Sequence, residues 1–149
     1  MKICLVCSSG GHFFALYSLE DFWKDFEHFW VTFPKRDTES LLRNEKSYWA
    51  YSPTNRNLKN LIRNLILAIK ILRQEKPNII ISTGAGVSVP FIYIGKLLGI
   101  KTVYIESLTR VHSLSLSGKI IYPVVEYLIV QWQELEEKYR KAKFIGQVV

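Results

Sequence analysis

Ser8-Ser9-Gly10-Gly11-His12 follows directly on the apolar run Ile3-Cys4-Leu5-Val6-Cys7. The order reads as a strand that breaks into a glycine turn and re-enters a helix at about Phe13. Adjacent glycines let the backbone take positive φ and bring its N–H groups close to a ligand. The helix behind them would aim its positive end at the same spot, a setting for phosphate or diphosphate beside Ser9, Gly10 and Gly11. His12, at the mouth of that turn, offers an imidazole able to serve as a general base or a hydrogen-bond donor. A purely structural turn, with His12 merely exposed in the first helical turn, is the alternative.

Two further segments carry polar chemistry at predicted strand ends. Residues 82–90, Ser-Thr-Gly-Ala-Gly-Val-Ser-Val-Pro, form a small-residue loop leading into a helix. Thr83, Gly84, Ala85, Gly86 and Ser88 would let a ligand or another protein approach the backbone, or would simply pack helix on sheet. Glu106 closes a strand and Arg110 follows four residues later. Arg110 could grip a phosphate through two N–H groups while Glu106 accepts a hydroxyl proton. The alternative is a local ion pair between them. Ser113, Ser115 and Ser117 suggest a flexible loop, a candidate lid.

Alternating strands and helices must position these residues. The pattern predicts strands at 2–7, 29–33, 78–83, 101–105, 127–130 and 143–145. Helices are expected near 13–22, 38–44, 57–75, 90–98, 119–122 and 134–140. Such alternation with short connections implies a parallel sheet covered on both faces and joined by right-handed crossovers. Ligands bind such sheets beyond the strand carboxyl ends, near the topological switch point. The Gly10-Gly11 turn, the 84–86 loop and Glu106 all converge on that edge.

The 149 residues are 48% hydrophobic, enough for one compact domain with a full core. A formal net charge of +7 favours anionic partners such as phosphorylated metabolites or an anionic membrane face. No RNP, zinc-finger or basic-zipper pattern is present, so no nucleic-acid partner is expected. Cys4 and Cys7, three apart on one strand, face opposite ways and read as buried free thiols. There is no signal-peptide pattern, metal cluster or apolar run long enough to span a membrane, which predicts a cytoplasmic chain without a metal. No G-x-G-x-x-G fingerprint occurs and no cofactor is expected.

Around the 57–75 helix the charge is one-sided. Arg56, Lys59, Arg63 and Lys70 stand among Leu58, Leu61, Ile62, Leu65 and Ile66, with Glu75 as the opposing charge. The helix could lie against anionic lipid, its basic side chains reaching headgroups and Tyr48, Trp49 and Tyr51 adding interfacial anchors. Covering the sheet would use most of the same leucines.

Val6 to His12, Ser82 to Pro90, Glu106 to Arg110, and Leu116 to Pro123 running on to Trp132 together resemble one family. It comprises bacterial capsular and exopolysaccharide glycosyltransferase subunits. They are related to the membrane-anchoring subunit of the eukaryotic dolichol-linked N-acetylglucosaminyltransferase. Within that group the chain looks most like the small capsular proteins that assist a separate β-1,4-galactosyltransferase. The resemblance implies a single Rossmann-like α/β domain with a parallel sheet, equivalent to the N-terminal half of a two-domain (GT-B type) glycosyltransferase. A partner subunit would hold the UDP-sugar, and the acceptor would be a polyprenyl-pyrophosphate sugar at the cytoplasmic membrane face. The chain begins directly at its first strand, so peripheral attachment is expected, and Phe144-Ile145-Gly146-Gln147-Val148-Val149 stops where a single-chain enzyme would enter its interdomain linker, as a split enzyme would. Mapped onto these motifs, Ser9, Gly10, Gly11 and Arg110 would bind the acceptor and its phosphates. Thr83 to Ser88 would face the partner, and His12 or Glu106 would act as base.

Overall fold

Residues 1–149 are all described by the structure, a computed structural model. The chain runs β1 (Lys2–Cys7), α1 (Gly11–Tyr17), α2 (Glu20–Trp23), β2 (Glu27–Thr32), α3 (Arg36–Leu41), β3 (Ser47–Trp49) and α4 (Leu58–Glu75). It continues with β4 (Ile79–Gly84), α5 (Ser88–Leu97), β5 (Lys101–Ile105), α6 (Leu116–Ile121), β6 (Tyr127–Ile129), α7 (Gln133–Lys138) and β7 (Ala142–Lys143). All strand pairs are parallel, in the order β3-β2-β1-β4-β5-β6-β7. The order reverses between β1 and β4, which makes their carboxyl ends the switch point. There the β1–β4 register slips between Val6 and Cys7, so that Cys7 sits opposite Gly84. The Ser8 N–H donates to the Gly84 carbonyl at 2.8 Å.

Strand alternation sorts the core into two layers. Cys4, Val6, Phe29, Val31 and Ile80 face α4 and α5, meeting Ala68, Ile71, Leu72 and Phe91. Ile3, Leu5, Cys7, Trp30 and Ile81 face Phe13, Leu16 and Trp23 of α1 and α2. Cys4 and Cys7 therefore lie on opposite faces, both fully buried, and burial pushes both thiols up.

Most expected elements form, with two instructive differences. The helix expected over 13–22 breaks at Leu19 into α1 and α2, and the Trp23 indole N–H donates to the Leu16 carbonyl across the break at 3.2 Å. β3 falls where no strand is expected, in the charged and aromatic stretch from Lys35 to Ser52. It is a three-residue edge strand, too short for alternation to show, held in register by Trp30 opposite Ser47.

α4 starts cleanly because the Asn57 side chain accepts the Asn60 N–H at 3.0 Å. It ends where Lys76 turns left-handed before Pro77. Its two halves bury different chemistry. The second half gives Ala68, Ile71 and Leu72 to the core, whereas the first half turns Asn60 and Asn64 inward. Asn64 grips the Tyr51 backbone twice, accepting from its N–H at 2.9 Å and donating to its carbonyl at 3.0 Å. Asn60 donates to the Pro53 carbonyl at 2.8 Å. With asparagines inside, the first-half leucines cannot all serve as core. Leu58, Leu61, Ile62, Leu65 and Ile66 are exposed, Leu58 by 70% and Ile66 by 62%. This corrects the expectation that covering the sheet uses most of them.

Candidate functional site

A cavity of about 600 Å³ opens over the switch point, at the carboxyl edge that the three motifs converge on. One wall carries His12, Ala85, Gly86 and Tyr104, and the second comes from the 54–57 loop with Leu58 and Leu61. Ser107, Thr109, Arg110, Ser115, Leu116 and Ile120 form the third. Its size suits a ligand rather than a few waters.

His12 is locked in place. Its Nδ1 lies 2.7 Å from the Thr83 carbonyl, and the Thr83 hydroxyl donates to the His12 carbonyl at 2.6 Å. A carbonyl only accepts, so Nδ1 carries the hydrogen and the neutral ring keeps its lone pair on Nε2. Gly84, at φ +112°, lies directly behind the ring. A Cβ there would come within 2.9 Å of His12 Cε1 and Nδ1, so only glycine lets the imidazole seat. Thr83, Gly84 and Ser88 thus lie beneath the surface and not along the cleft, while Ala85 and Gly86 do line it. Ser88 donates to the Ala85 carbonyl at 2.5 Å, shaping the loop from below.

Ser9, Gly10 and Gly11 flank the cavity without lining it, and the space above Gly10 and Gly11 is open. α1 carries no side-chain cap at its N-terminus. Cationic charge in the cavity comes from Arg110 and from Arg56, which was expected on a membrane surface with Lys59, Arg63 and Lys70. Arg56 has φ 49°, a left-handed backbone that carries the 54–57 loop across the cleft. Thr54 packs against Gly86, where a Cβ would meet it at 3.1 Å. Sequence reasoning missed this loop; the one signal it offered was a polar tetrapeptide directly before a helix. Lys59, Arg63 and Lys70 are exposed, and the Arg63 guanidinium lies 5.4 Å from the Tyr51 ring.

Glu106 stands differently from its expected role as base. It is 1% exposed and absent from the cavity wall. Oε1 accepts the Ser107 N–H at 2.9 Å, and Oε2 accepts the Ser115 N–H at 2.9 Å and its hydroxyl at 3.0 Å. Ser115 in turn caps α6 by accepting the Gly118 N–H at 3.0 Å. A Cβ at Gly118 would collide with Glu106 Oε2, so this glycine admits the carboxylate to the helix start. A carboxylate occupied on both oxygens organises the 107–118 segment. No ion pair joins it to Arg110.

Tyr104 reaches the same spot, its hydroxyl 3.4 Å from Ser115 Oγ, and burial followed by the Glu106 charge raises its pKa. The serine-rich loop is tethered from outside as well. Trp132 Nε1–H donates to the Leu108 carbonyl at 2.7 Å, Lys138 donates to the His112 carbonyl at 2.9 Å, and His112 meets Glu134 at 2.8 Å. Three such ties suit a fixed wall better than a lid.

Residues 51–148 match the family model described as "Oligosaccharide biosynthesis protein Alg14 like". The human UDP-N-acetylglucosamine transferase subunit ALG14 is 37% identical over 94 residues, covering 59% of this chain and 44% of its own length. The Schizosaccharomyces pombe subunit of the same name is 49% identical over 78 residues, covering 48% and 37%. The chain therefore spans less than half the length of these curated relatives. Among solved structures, Acinetobacter baumannii MurG superposes with a TM-score of 0.70 at 16% identity, over 90% of this chain and 43% of that one. The UDP-GlcNAc 2-epimerase of Methanocaldococcus jannaschii gives 0.73 at 14%, over 99% and 46%. The fold is thus one Rossmann-like half of the two-domain GT-B architecture, and by the match over residues 51–148 the chain belongs to the Alg14-like family of oligosaccharide biosynthesis proteins.

Proposed function

We propose that this chain is the acceptor-binding, membrane-recruiting subunit of a split inverting glycosyltransferase. A partner subunit holds the UDP-sugar, and the acceptor is a polyprenyl-diphosphate-linked sugar presented at a membrane face. N-acetylglucosamine is the first donor to test, because the curated relatives carry that sugar in their names. Galactose and glucuronic acid follow from the capsular and exopolysaccharide subunits that the motifs resemble, with capsule or exopolysaccharide as the product. In that setting the membrane is the inner face of the cell membrane.

The observation that carries this reading is the seating of His12. The ring lines a cavity that two arginines also line, and the Thr83 bond leaves Nε2 without a protein partner. In the proposed step Nε2 takes the proton of the acceptor hydroxyl as its oxygen attacks the anomeric carbon. The anomeric bond to UDP breaks from the opposite side, and the nucleoside diphosphate departs into the partner's half. General-base assistance of this kind contributes about two to four orders of magnitude. Glu106 serves as a positioning residue through Ser115, and Ser9 to Gly11 with Ala85 and Gly86 face the partner across the cleft.

Membrane contact falls to the exposed apolar face of α4, with Lys59, Arg63 and Lys70 beside it. No helix is long and apolar enough to cross a membrane. The test is sugar transfer by the chain with its co-purifying partner, wild type against His12→Ala.

A further inference from the structure

The geometry points to a divided acceptor site: a diphosphate held between Arg56 and Arg110, and the first isoprene units lying in an apolar track between the start of α4 and α6. This rests on the proposed acceptor class and assigns the two ends of that ligand to residues.

The polar end follows from charge. Arg56 and Arg110 are the only charged side chains in the cavity wall, and no carboxylate accompanies them. Neither arginine is in an ion pair. They arrive from separate loops, one across the cleft in a left-handed conformation and the other from the tethered 107–115 segment. Two unpaired guanidiniums brought to one cavity by separate loops suit a doubly charged anion, each able to meet its oxygens with a planar fork.

The apolar end follows from exposure. Leu58, Leu61, Val89, Leu116 and Ile120 line the cavity, yet four of these also open onto solvent, Leu116 by 64%. This wall is therefore a track that leaves the cavity, continuous with exposed Ile62, Leu65 and Ile66 on α4. A soluble sugar diphosphate would leave it wet. A ligand with an apolar chain attached to its diphosphate covers it and continues toward the lipid.

Isothermal titration of the purified chain, without membrane or detergent, tests the assignment with four soluble probes: inorganic diphosphate, isopentenyl diphosphate, farnesyl diphosphate and farnesol. Farnesyl diphosphate is expected to bind at least about tenfold tighter than isopentenyl diphosphate, from the added apolar burial. The double variant Leu116→Asn/Ile120→Asn should erase that advantage while leaving inorganic diphosphate binding unchanged. Both residues are exposed, so folding should survive, with circular dichroism as the control. Arg56→Gln/Arg110→Gln should weaken both prenyl diphosphates alike.

Equal affinity for the two prenyl diphosphates would overturn the track. Farnesol binding as tightly as farnesyl diphosphate would overturn the arginine clamp. No sugar transfer is read, so a failed transferase assay beside the expected titrations removes the proposed function and leaves the ligand site standing.

Discussion

His12 and Thr83 hold each other from both directions: the imidazole Nδ1–H donates to the Thr83 carbonyl, and the Thr83 hydroxyl donates back to the His12 carbonyl. The pair joins the first turn of α1 to the end of β4 across 71 residues of sequence. It fixes the tautomer and the ring together, which a general base requires. His12→Ala should lower sugar transfer by about a hundred- to ten-thousandfold in a protein that still folds, the lost Thr83 hydrogen bond costing about 1–3 kcal/mol of stability. Equal rates in His12→Ala and wild type would remove the base assignment.

Gly84→Ala tests the same ring without touching the ligand. The new Cβ would stand 2.9 Å from the imidazole and must displace it, in a backbone at φ +112° that disfavours any side chain. Transfer should fall at least about a hundredfold with substrate affinity largely kept, read as kcat against KM.

Glu106 separates a positioning role from a catalytic one. Glu106→Ala leaves the partly buried Ser107 and Ser115 N–H groups without their acceptor, which costs about 1–3 kcal/mol. Transfer and melting temperature should then fall together. A Glu106→Gln protein that melts like wild type but has lost transfer a thousandfold would return the base role to this carboxylate.

Glu75 predicts acid behaviour. Burial alone would raise its pKa, but hydrogen bonds from Lys2, Lys46 and Tyr48 overcome that and hold it at about 2. The ammonium groups of Lys2 and Lys46 each stand 2.6 Å away. A folded value below the ordinary one means stability that is full above about 4.5 and drains as pH falls toward 2. Denaturant titrations from pH 7 to 2 should show this loss, and Glu75→Gln should flatten it while costing about 3 kcal/mol at neutral pH.

The apolar face of α4 predicts lipid binding that stability measurements will not reveal. Ile62→Ser/Ile66→Ser removes exposed side chains and should change stability by under about 0.5 kcal/mol. Sedimentation with anionic vesicles should nonetheless weaken severalfold, and the remaining binding should fade with salt.

β1, β4 and β5 were legible because β-branched and apolar runs end at glycine or a lone acid, and α4 because its apolar spacing is regular. What was not legible depends on contacts distant in sequence. The inward face of α4 is decided by Asn60 and Asn64 binding the backbone of Tyr51 and Pro53, so apolar periodicity alone chose the wrong side for its first half. Arg56 read as a surface cation because nothing local says that Thr54 packs on Gly86, thirty-two residues away, and carries the loop over the cleft. Glu106 was correctly placed at a strand end, but its role turned on Gly118 making room for the carboxylate.

In the proposed split enzyme this chain completes a glycosyltransferase that it cannot be alone. The direct measurement is transfer from a panel of UDP-sugars to polyprenyl-diphosphate-sugar acceptors in membranes, by this chain, by its co-purifying partner, and by both. Transfer is expected only with both present, and is expected to be lost on His12→Ala. Full transfer by the partner alone would contradict it.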